Sequence, residues 1–380
     1  MRLYGLVFPA RVNPQPVSLT RLDPLTLSPV GRPSVLGRFY GLAVPSPDER
    51  RVALVAPNSS VLRLYEGVRL VRLLGLGTRD EQVRFIVWTA PDRLVAIVQR
   101  MSQPYARYVR ARYAVGVDAA RGRVLFRTRF DQRLALTGWG ASQGRVALLY
   151  QSSSLLARRS RLTVISPDGT VRSARLHFAA DRTLRLFAGL AVDPSAPRAY
   201  AVLSGGRVAV VDLRSLRVAY HVVRVLPGAA RRAPFVMMRA AWVNSHTLVV
   251  SGLFANPYGV SHPAGLSLVD TRTWRGRVLD RRATTFAVAR GTVFTAGAGV
   301  TAYRLDGSRR FHLLGSTRVS QIQIVQGRAH AWLGGGTRPV RLGVPPPERV
   351  VIFGPASGVV FGRATVGPGI RVALLDPNGY

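Results

Sequence analysis

The sequence contains no cysteine and no lysine. Without cysteine, disulfides, thiolate metal ligands and cysteine nucleophiles are excluded, although the redox compartment stays open. Acidic residues are also scarce: there are 18 against 54 basic residues, and every basic residue is arginine, which gives a formal net charge of +36. Such an excess of positive charge can bind an anionic partner, namely a polyanion, an acidic protein or an anionic surface. Alternatively, it reflects a GC-rich bacterial genome that encodes arginine wherever lysine would serve.

Long apolar runs are missing as well. None approaches the roughly 20 residues that span a bilayer, so no transmembrane segment is expected. The first residues, MRLYGLVFPARVNPQP, contain only a short apolar stretch that Pro9 interrupts, and no export signal is predicted. The localisation therefore stays open: the protein is cytoplasmic, or extracytoplasmic if the native N-terminus is incomplete. Helical periodicity over ten or more residues is absent too.

What the sequence does contain is a repeated hairpin, in which two short apolar runs flank a polar turn. Its seven turns follow one another at intervals of 37 to 52 residues, a spacing typical of repeat architectures. They lie at Asp48, Asp92, Gln143, Ser195, Ser245, Arg290 and Gly327. We label the two strands of this hairpin A and B.

A second hairpin, C–D, follows with an aspartate in its turn, as in RVAVVDLRSLRVAYHVV from Arg207. Equivalent aspartates at Asp23, Asp118, Asp212, Asp270 and Asp306 indicate turn chemistry rather than catalysis. Four antiparallel strands per repeat of 40–50 residues predict the blades of a β-propeller. We expect an all-β single domain over residues 1–380, with seven blades or alternatively eight. Residues 17–36 provide N-terminal closing strands, residues 37–342 the blades, and residues 343–380 a C-terminal closing segment or tail.

The hairpins also carry a family resemblance. VVDLRSLRV at Val210 resembles YVTN-like repeats, and VDAARGRVLF at Val117 resembles quinoprotein-like repeats, although Phe126 stands where the latter usually has tryptophan. The WD40 Gly-His…Trp-Asp pair is missing. The resemblance implies a propeller, and the departure at Phe126 argues against a quinone cofactor, so no cofactor is expected.

Three repeats have roughly eight extra residues between strands B and C. In an antiparallel blade these B–C inserts emerge on one face, opposite the A–B turns. They contain tyrosine and arginine, which suit phosphate or carboxylate groups, or they are merely longer hairpins with solvated side chains. The candidate binding residues are Tyr105, Arg107, Tyr108, Arg110, Arg112, Arg158, Arg159, Arg161, Tyr258 and His262.

Catalytic and metal-binding patterns are poor. The six histidines show no metal-ligand spacing, and neither a GxSxG nucleophile elbow nor a P-loop occurs. Trp88, Trp139 and Trp242 recur at the end of strand A and are expected to fill the gaps between blades rather than form a ligand cage. The sequence favours a monomeric, non-enzymatic binding or scaffold protein with a basic insert face. The alternative is a propeller hydrolase, lyase or oxidoreductase with its site at the central channel.

Overall fold

The structure is a computed structural model of the 380-residue chain. In the residues that it describes, 31 β-strands and no helix occur. The described residues are 3–9, 16–37, 41–101, 109–131, 134–152, 160–177, 185–202, 206–223, 235–255, 261–283, 285–333, 348–366 and 370–375.

The strands follow one another along the chain as short antiparallel meanders. The first fifteen are β1 (Leu3–Pro9), β2 (Val17–Leu22), β3 (Pro29–Gly37), β4 (Leu42–Pro45), β5 (Arg51–Val55), β6 (Val61–Glu66), β7 (Arg69–Gly75), β8 (Glu81–Ala90), β9 (Arg93–Met101), β10 (Val109–Asp118), β11 (Arg123–Phe130), β12 (Ala135–Ser142), β13 (Arg145–Gln151), β14 (Ser160–Ile165) and β15 (Val171–Leu176). The remainder are β16 (Arg185–Phe187), β17 (Gly189–Asp193), β18 (Arg198–Val202), β19 (Arg207–Asp212), β20 (Val218–Val222), β21 (Phe235–Asn244), β22 (Thr247–Ala255), β23 (Ser261–Asp270), β24 (Arg275–Asp280), β25 (Thr285–Ala289), β26 (Thr292–Arg304), β27 (Arg309–Val325), β28 (Arg328–Leu333), β29 (Glu348–Phe353), β30 (Val360–Val366) and β31 (Ile370–Leu374).

Hydrogen bonds join these strands into seven sheets, and the predicted A–B–C–D order is confirmed. Four sheets have the orders β4-β5-β6-β7, β8-β9-β10-β11, β12-β13-β14-β15 and β17-β18-β19-β20. In a fifth sheet, β21-β22-β23-β24 is extended by β16, which runs parallel to β21. The turns Gln143–Gly144, Arg290–Gly291 and Gln326–Gly327 have positive φ at both residues, as a tight type I′ hairpin requires.

The N- and C-terminal strands share one sheet, in the order β3-β2-β1-β31. Strand β1 pairs antiparallel with β31, from Gly5 opposite Leu374 to Pro9 opposite Ile370. The predicted closure by terminal strands is therefore confirmed. The pairing partner of the C-terminal strand is β1, which lies upstream of the expected closing segment 17–36. In this sheet strand A comes from the end of the chain and strand B from its beginning.

The remaining sheet has six strands, from β25 to β30, and two of them are unusually long, with 13 and 17 residues. Left-handed backbone interrupts both, at Gly299 inside β26 and at Leu314 and Gly315 inside β27. Each long strand therefore has two halves, so this sheet contains the strands of two four-stranded blades. The seven sheets thus provide eight sets of four strands, and the predicted count of seven blades is not confirmed.

The turns between the third and fourth strands support the same count. One residue of each such turn has positive φ: Leu27, Gly67, Gly122, Gly169, Leu216, Trp274, Gly307 and Gly358. Side chains from the preceding set of four strands cover several of these turns. A Cβ added to Gly169 would lie 2.6 Å from the ring of Phe126 in β11. A Cβ added to Gly358 would lie 2.9 Å from the ring of Phe311 in β27. His221 of β20 stacks on Trp274 with ring centroids 3.7 Å apart.

The chain forms two compact units. Unit 1 comprises Met1–Leu125, Ala298–Val300 and Phe311–Tyr380, and unit 2 comprises Phe126–Gly297 and Thr301–Arg310. Whether residues 1–380 act as a single domain stays a prediction.

Within each unit, apolar clusters fill the gaps between consecutive sheets. In unit 1, strands β5 and β6 pack on β8–β10, and the strands from β28 to β30 pack on β1 and β31. In unit 2, β13 and β14 pack on β17–β19, and β18 packs on β21 and β22. Trp88 is 7% exposed and donates to the carbonyl oxygen of Val44 at 3.0 Å, while Trp242 stacks on Tyr200 at 4.8 Å. These two tryptophans fill inter-sheet gaps, as expected.

Candidate functional site

Most of the predicted insert residues lie outside the described residues. These are Tyr105, Arg107, Tyr108, Arg158, Arg159 and Tyr258. The backbone of Arg110 belongs to β10. Whether the three inserts share one face, opposite the A–B turns, therefore stays a prediction.

Three of the candidates are described fully, and they lie in three different sheets. Arg112 in β10 is only 7% exposed, so its side chain is not available to a partner in this state. Arg161 in β14 is half-buried, and His262 in β23 is exposed. Strand alternation explains the burial of Arg112, because a residue inside a central strand points into a gap between sheets whatever its charge. Of these three, Arg161 and His262 keep surface available for binding.

The recurring aspartates hold the third-to-fourth-strand turns, as predicted. Asp212 is representative: its Oδ1 accepts hydrogen bonds from the backbone N–H of Ser215 at 2.7 Å and of Arg214 at 2.9 Å. These bonds favour the charged carboxylate and lower its pKa, the Ser215 bond most strongly. The pKa values of the equivalent carboxyls are lowered by the same kind of turn hydrogen bonds, at Asp23, Asp118, Asp168, Asp270 and Asp306.

Few carboxylates are present to pair with the arginines, since the sequence has 18 acidic residues against 54 arginines. In the part of the chain that the structure describes, ion pairs with Asp or Glu involve Arg50, Arg51, Arg69, Arg100, Arg121, Arg123 and Arg272. These pairs are mostly solvent-exposed and therefore weak. The formal net charge of +36 shows that most arginines have no acidic counterpart in the sequence.

The fourth strands carry about a third of the exposed arginines in the described residues, a placement that sequence reasoning did not single out. Seven fourth strands lie at the edge of their sheets, namely β3, β7, β11, β15, β20, β24 and β30. Six of the seven expose arginine side chains within the described residues: Arg32, Arg69, Arg72, Arg123, Arg127, Arg129, Arg172, Arg175, Arg275, Arg277 and Arg363. The sequence signal was an arginine shortly after the turn, as in RVLFRTRF from Arg123.

The same edge strands expose apolar side chains. Fourteen large hydrophobic residues are exposed among the described residues, and ten of them lie in fourth strands. The ten are Val30, Val35, Leu70, Leu73, Val124, Leu125, Val222, Val278, Val360 and Phe361. Charged side chains on edge strands protect sheets from pairing with one another. Arginine interleaved with aliphatic groups also forms a surface suited to an anionic partner with apolar side chains.

A cavity of about 340 Å³ opens in unit 2 beside the turns that end β21 and β23. It is lined by Asn244, His246, Thr247, Leu268, Asp270, Arg275, Arg277, Leu305 and Asp306. Its polar groups are engaged locally. The guanidinium of Arg277 donates to the carbonyl oxygen of Asp306, and the ring Nδ1 of His246 lies 2.9 Å from the hydroxyl oxygen of Ser245.

The two carboxyls of this cavity are held in the ionised form. Asp270 accepts from the backbone N–H of Arg272 at 2.8 Å, and Asp306 accepts from that of Ser308 at 2.7 Å. Hydrogen bonds from Arg272 to Asp270 and from Ser308 to Asp306 are the largest causes of their lowered pKa values. Neither carboxyl is therefore tuned to act as a general acid near neutral pH.

The described residues contain no group of three His, Asp or Glu side chains placed to hold a metal ion. A search of the same residues for a helix long and apolar enough to cross a membrane finds none.

Comparisons with known proteins identify the fold. No family model matches the chain, and no curated protein matches it. Solved structures do match. BamB from Moraxella catarrhalis is 14% identical, with a TM-score of 0.53 over 85% of this chain and 87% of that one. Apo AztD from Citrobacter koseri is 11% identical, with a TM-score of 0.51 over 98% of both chains. The computationally designed Ika8 protein is 11% identical, with a TM-score of 0.50 over 86% of this chain and 88% of that one. At these identities the similarity shows a β-propeller fold and nothing about activity.

Proposed function

We propose that this chain is a non-enzymatic β-propeller binding or scaffold protein whose arginine-rich surface binds an anionic partner. The observation that carries the proposal is that acidic and basic side chains occupy different environments. The recurring aspartates are bound to the backbone of their own turns, whereas arginines stand exposed on six edge strands. Exposed guanidinium groups attract phosphate or carboxylate groups, with which they form bidentate hydrogen bonds.

Three further features belong to the proposal. Residues 1–380 form a single domain, the repeats are of the YVTN-like or quinoprotein-like type, and the protein acts as a monomer. The insert loops that carry Arg107, Arg110, Arg158 and Arg159 extend the basic surface. A rigid propeller suits this role, because its loops and edges vary while the packed sheets stay fixed.

The test is a salt titration of binding to a polyanion such as duplex DNA. A protein that neutralises phosphates releases counterions, so log K falls against log [salt] with a slope of about −0.9 per phosphate contacted. Two sets of five Arg→Gln substitutions locate the contacts. The insert set is Arg107, Arg110, Arg158, Arg159 and Arg161, and the edge-strand set is Arg32, Arg129, Arg175, Arg275 and Arg363.

We expect each set to make the slope shallower by about 0.9 for every contact that it removes. The two sets remove the same charge, so a larger change from one of them shows which surface faces the partner. An uncharged polymer serves as the negative control. Absence of salt-dependent binding, or a slope that neither set alters, contradicts the proposal.

A further inference from the structure

The cavity in unit 2 lies against one face of the strands β21 to β24. Antiparallel register places Asp270 opposite Arg275 and Leu268 opposite Arg277. Residues two apart in a strand share a face, so these four side chains point to the same side of the sheet. Leu268 belongs to the apolar cluster against which Leu305 packs. Together they line the cavity of about 340 Å³, whose lining residues all belong to unit 2.

The cavity wall presents charges of both signs. In the part of the chain that the structure describes, neither Arg275 nor Arg277 forms an ion pair with an acidic side chain, and Asp306 forms none with a basic one. Arg277 donates to the backbone carbonyl oxygen of Asp306, so a positive and a negative group lie side by side. A ligand with charge of one sign would be attracted by one of them and repelled by the other.

The size and the apolar surface of the cavity narrow the ligand further. Small-molecule sites typically have volumes of about 300–1,000 Å³, so a cavity of about 340 Å³ suits a small molecule rather than a polymer segment. Leu268 is 5% exposed and Leu305 is half-buried, and the two provide an apolar wall beside the charged groups. A small molecule with a carboxylate, a neighbouring ammonium group and an aliphatic side chain complements all of these surfaces.

We infer that this cavity binds a free aliphatic α-amino acid. The carboxylate of the ligand accepts hydrogen bonds from Arg275 and Arg277, and its ammonium group donates to Asp306. Its side chain lies against Leu268 and Leu305. Both charged groups of such a ligand are attached to the same carbon atom, which suits the adjacent charges of Arg277 and Asp306. This inference goes beyond the proposed function, which concerns a large anionic partner of the arginine-rich surface.

The experiment measures binding of radiolabelled leucine to the full chain by equilibrium dialysis, with unlabelled competitors. Leucinamide lacks the carboxylate, 4-methylpentanoate lacks the ammonium group, and glycine lacks the aliphatic side chain. Two variants each remove one charge from the cavity: Arg275→Gln, and Asp306→Asn, which keeps an oxygen to accept from the N–H of Ser308. The matched controls, Arg172→Gln in β15 and Asp212→Asn in the turn before β20, alter equivalent elements outside the cavity.

We expect leucine to bind saturably and each competitor to bind about tenfold more weakly or worse, because each lacks one group that the cavity contacts. Arg275→Gln and Asp306→Asn should each weaken leucine binding to a similar extent, and the two control variants should leave it unchanged. The inference is wrong if leucine does not bind saturably, if 4-methylpentanoate competes as well as leucine, or if the controls lose as much affinity as the cavity variants. Urea unfolding of each variant verifies that the substitutions leave the fold intact.

The same variants separate this inference from the proposed function. Asp306→Asn removes a negative charge, so salt-dependent binding of DNA should persist in this variant while leucine binding is weakened. Binding of DNA without binding of leucine overturns this inference and leaves the proposed function standing. Binding of leucine without binding of DNA has the opposite meaning, and binding of neither overturns both.

Discussion

Acidification should destabilise the protein through one buried histidine. His330 in β28 is 1% exposed, and neither of its ring nitrogens has a hydrogen-bonding partner among the described residues. It pairs in register with Gln323 and Ile352, so its ring lies on the side of β28 that packs in the core of unit 1. Burial, and secondarily the positive charge of Arg328, lowers the pKa of His330 from 6.5 to about 4.

The free energy involved follows from that difference. A histidine whose pKa is lowered on folding binds its proton more readily in the unfolded chain, so stability is complete above pH 6.5 and declines as the pH falls from 6.5 to about 4. The difference between the two values corresponds to about 3 kcal/mol. The turn carboxyls act outside this window. Their pKa values are lowered from 3.8, so their contribution is lost only as the pH falls below that value.

Urea unfolding followed by tryptophan fluorescence, repeated from pH 7 to pH 4, measures the effect. In wild type we expect a loss of about 3 kcal/mol across this range. His330→Leu should remove most of the loss and cost little at pH 7, because it replaces an unpartnered buried polar ring by an apolar side chain. His221, whose pKa burial also lowers, contributes in the same direction, so some pH dependence remains.

The control substitution is His262→Gln, which alters an exposed histidine of β23. It should leave the acid-dependent loss in place. If His330→Leu follows the wild-type curve throughout, the reasoning about His330 is refuted.

Two further predictions concern the turns. Gly169→Ala should destabilise the protein by clearly more than Gly31→Ala. Both glycines have positive φ, +88° at Gly169 and +76° at Gly31. A Cβ at position 169 would lie 2.6 Å from the Phe126 ring, whereas nothing lies within 4 Å of a Cβ at position 31. The φ strain common to both costs about 1 kcal/mol, and thermal unfolding of the pair measures the excess; equal costs would show that the Phe126 contact does not constrain the turn. Asp212→Ala should lower the free energy of unfolding by about 1–2 kcal/mol, because two backbone N–H groups and the Ser215 hydroxyl lose their acceptor. Asp212→Asn, which keeps an oxygen acceptor, should retain most of the stability, and a loss as large as that of the alanine variant would contradict the role of hydrogen bonding.

The repeating hairpins were predictable because their information is local. Apolar runs separated by turn residues define strands, and an aspartate that accepts from the backbone two or three residues ahead defines a turn. The terminal sheet depends on information that is not local. Residues 3–9 read as a short apolar stretch ended by Pro9, yet they form β1 because β31, more than 360 residues later, supplies its neighbour. A count of A–B turns finds seven because the A and B strands of this sheet have no turn between them.

Local sequence patterns did not predict the exposed basic surface, because the number of arginines does not determine which of their side chains are exposed. Arg112 and Arg175 occupy similar arginine-rich stretches of sequence. Arg112 lies in a third strand, between neighbours, and is 7% exposed, whereas Arg175 lies in a fourth strand and is exposed. Strand order therefore decides which guanidinium groups can meet a partner. Five of the seven edge fourth strands, β3, β11, β15, β20 and β24, follow an aspartate turn, so an arginine within a few residues after such a turn is a local sequence signal for an exposed one. That rule selects Arg123, Arg172 and Arg275, and each of these side chains is exposed on the edge strand of its sheet.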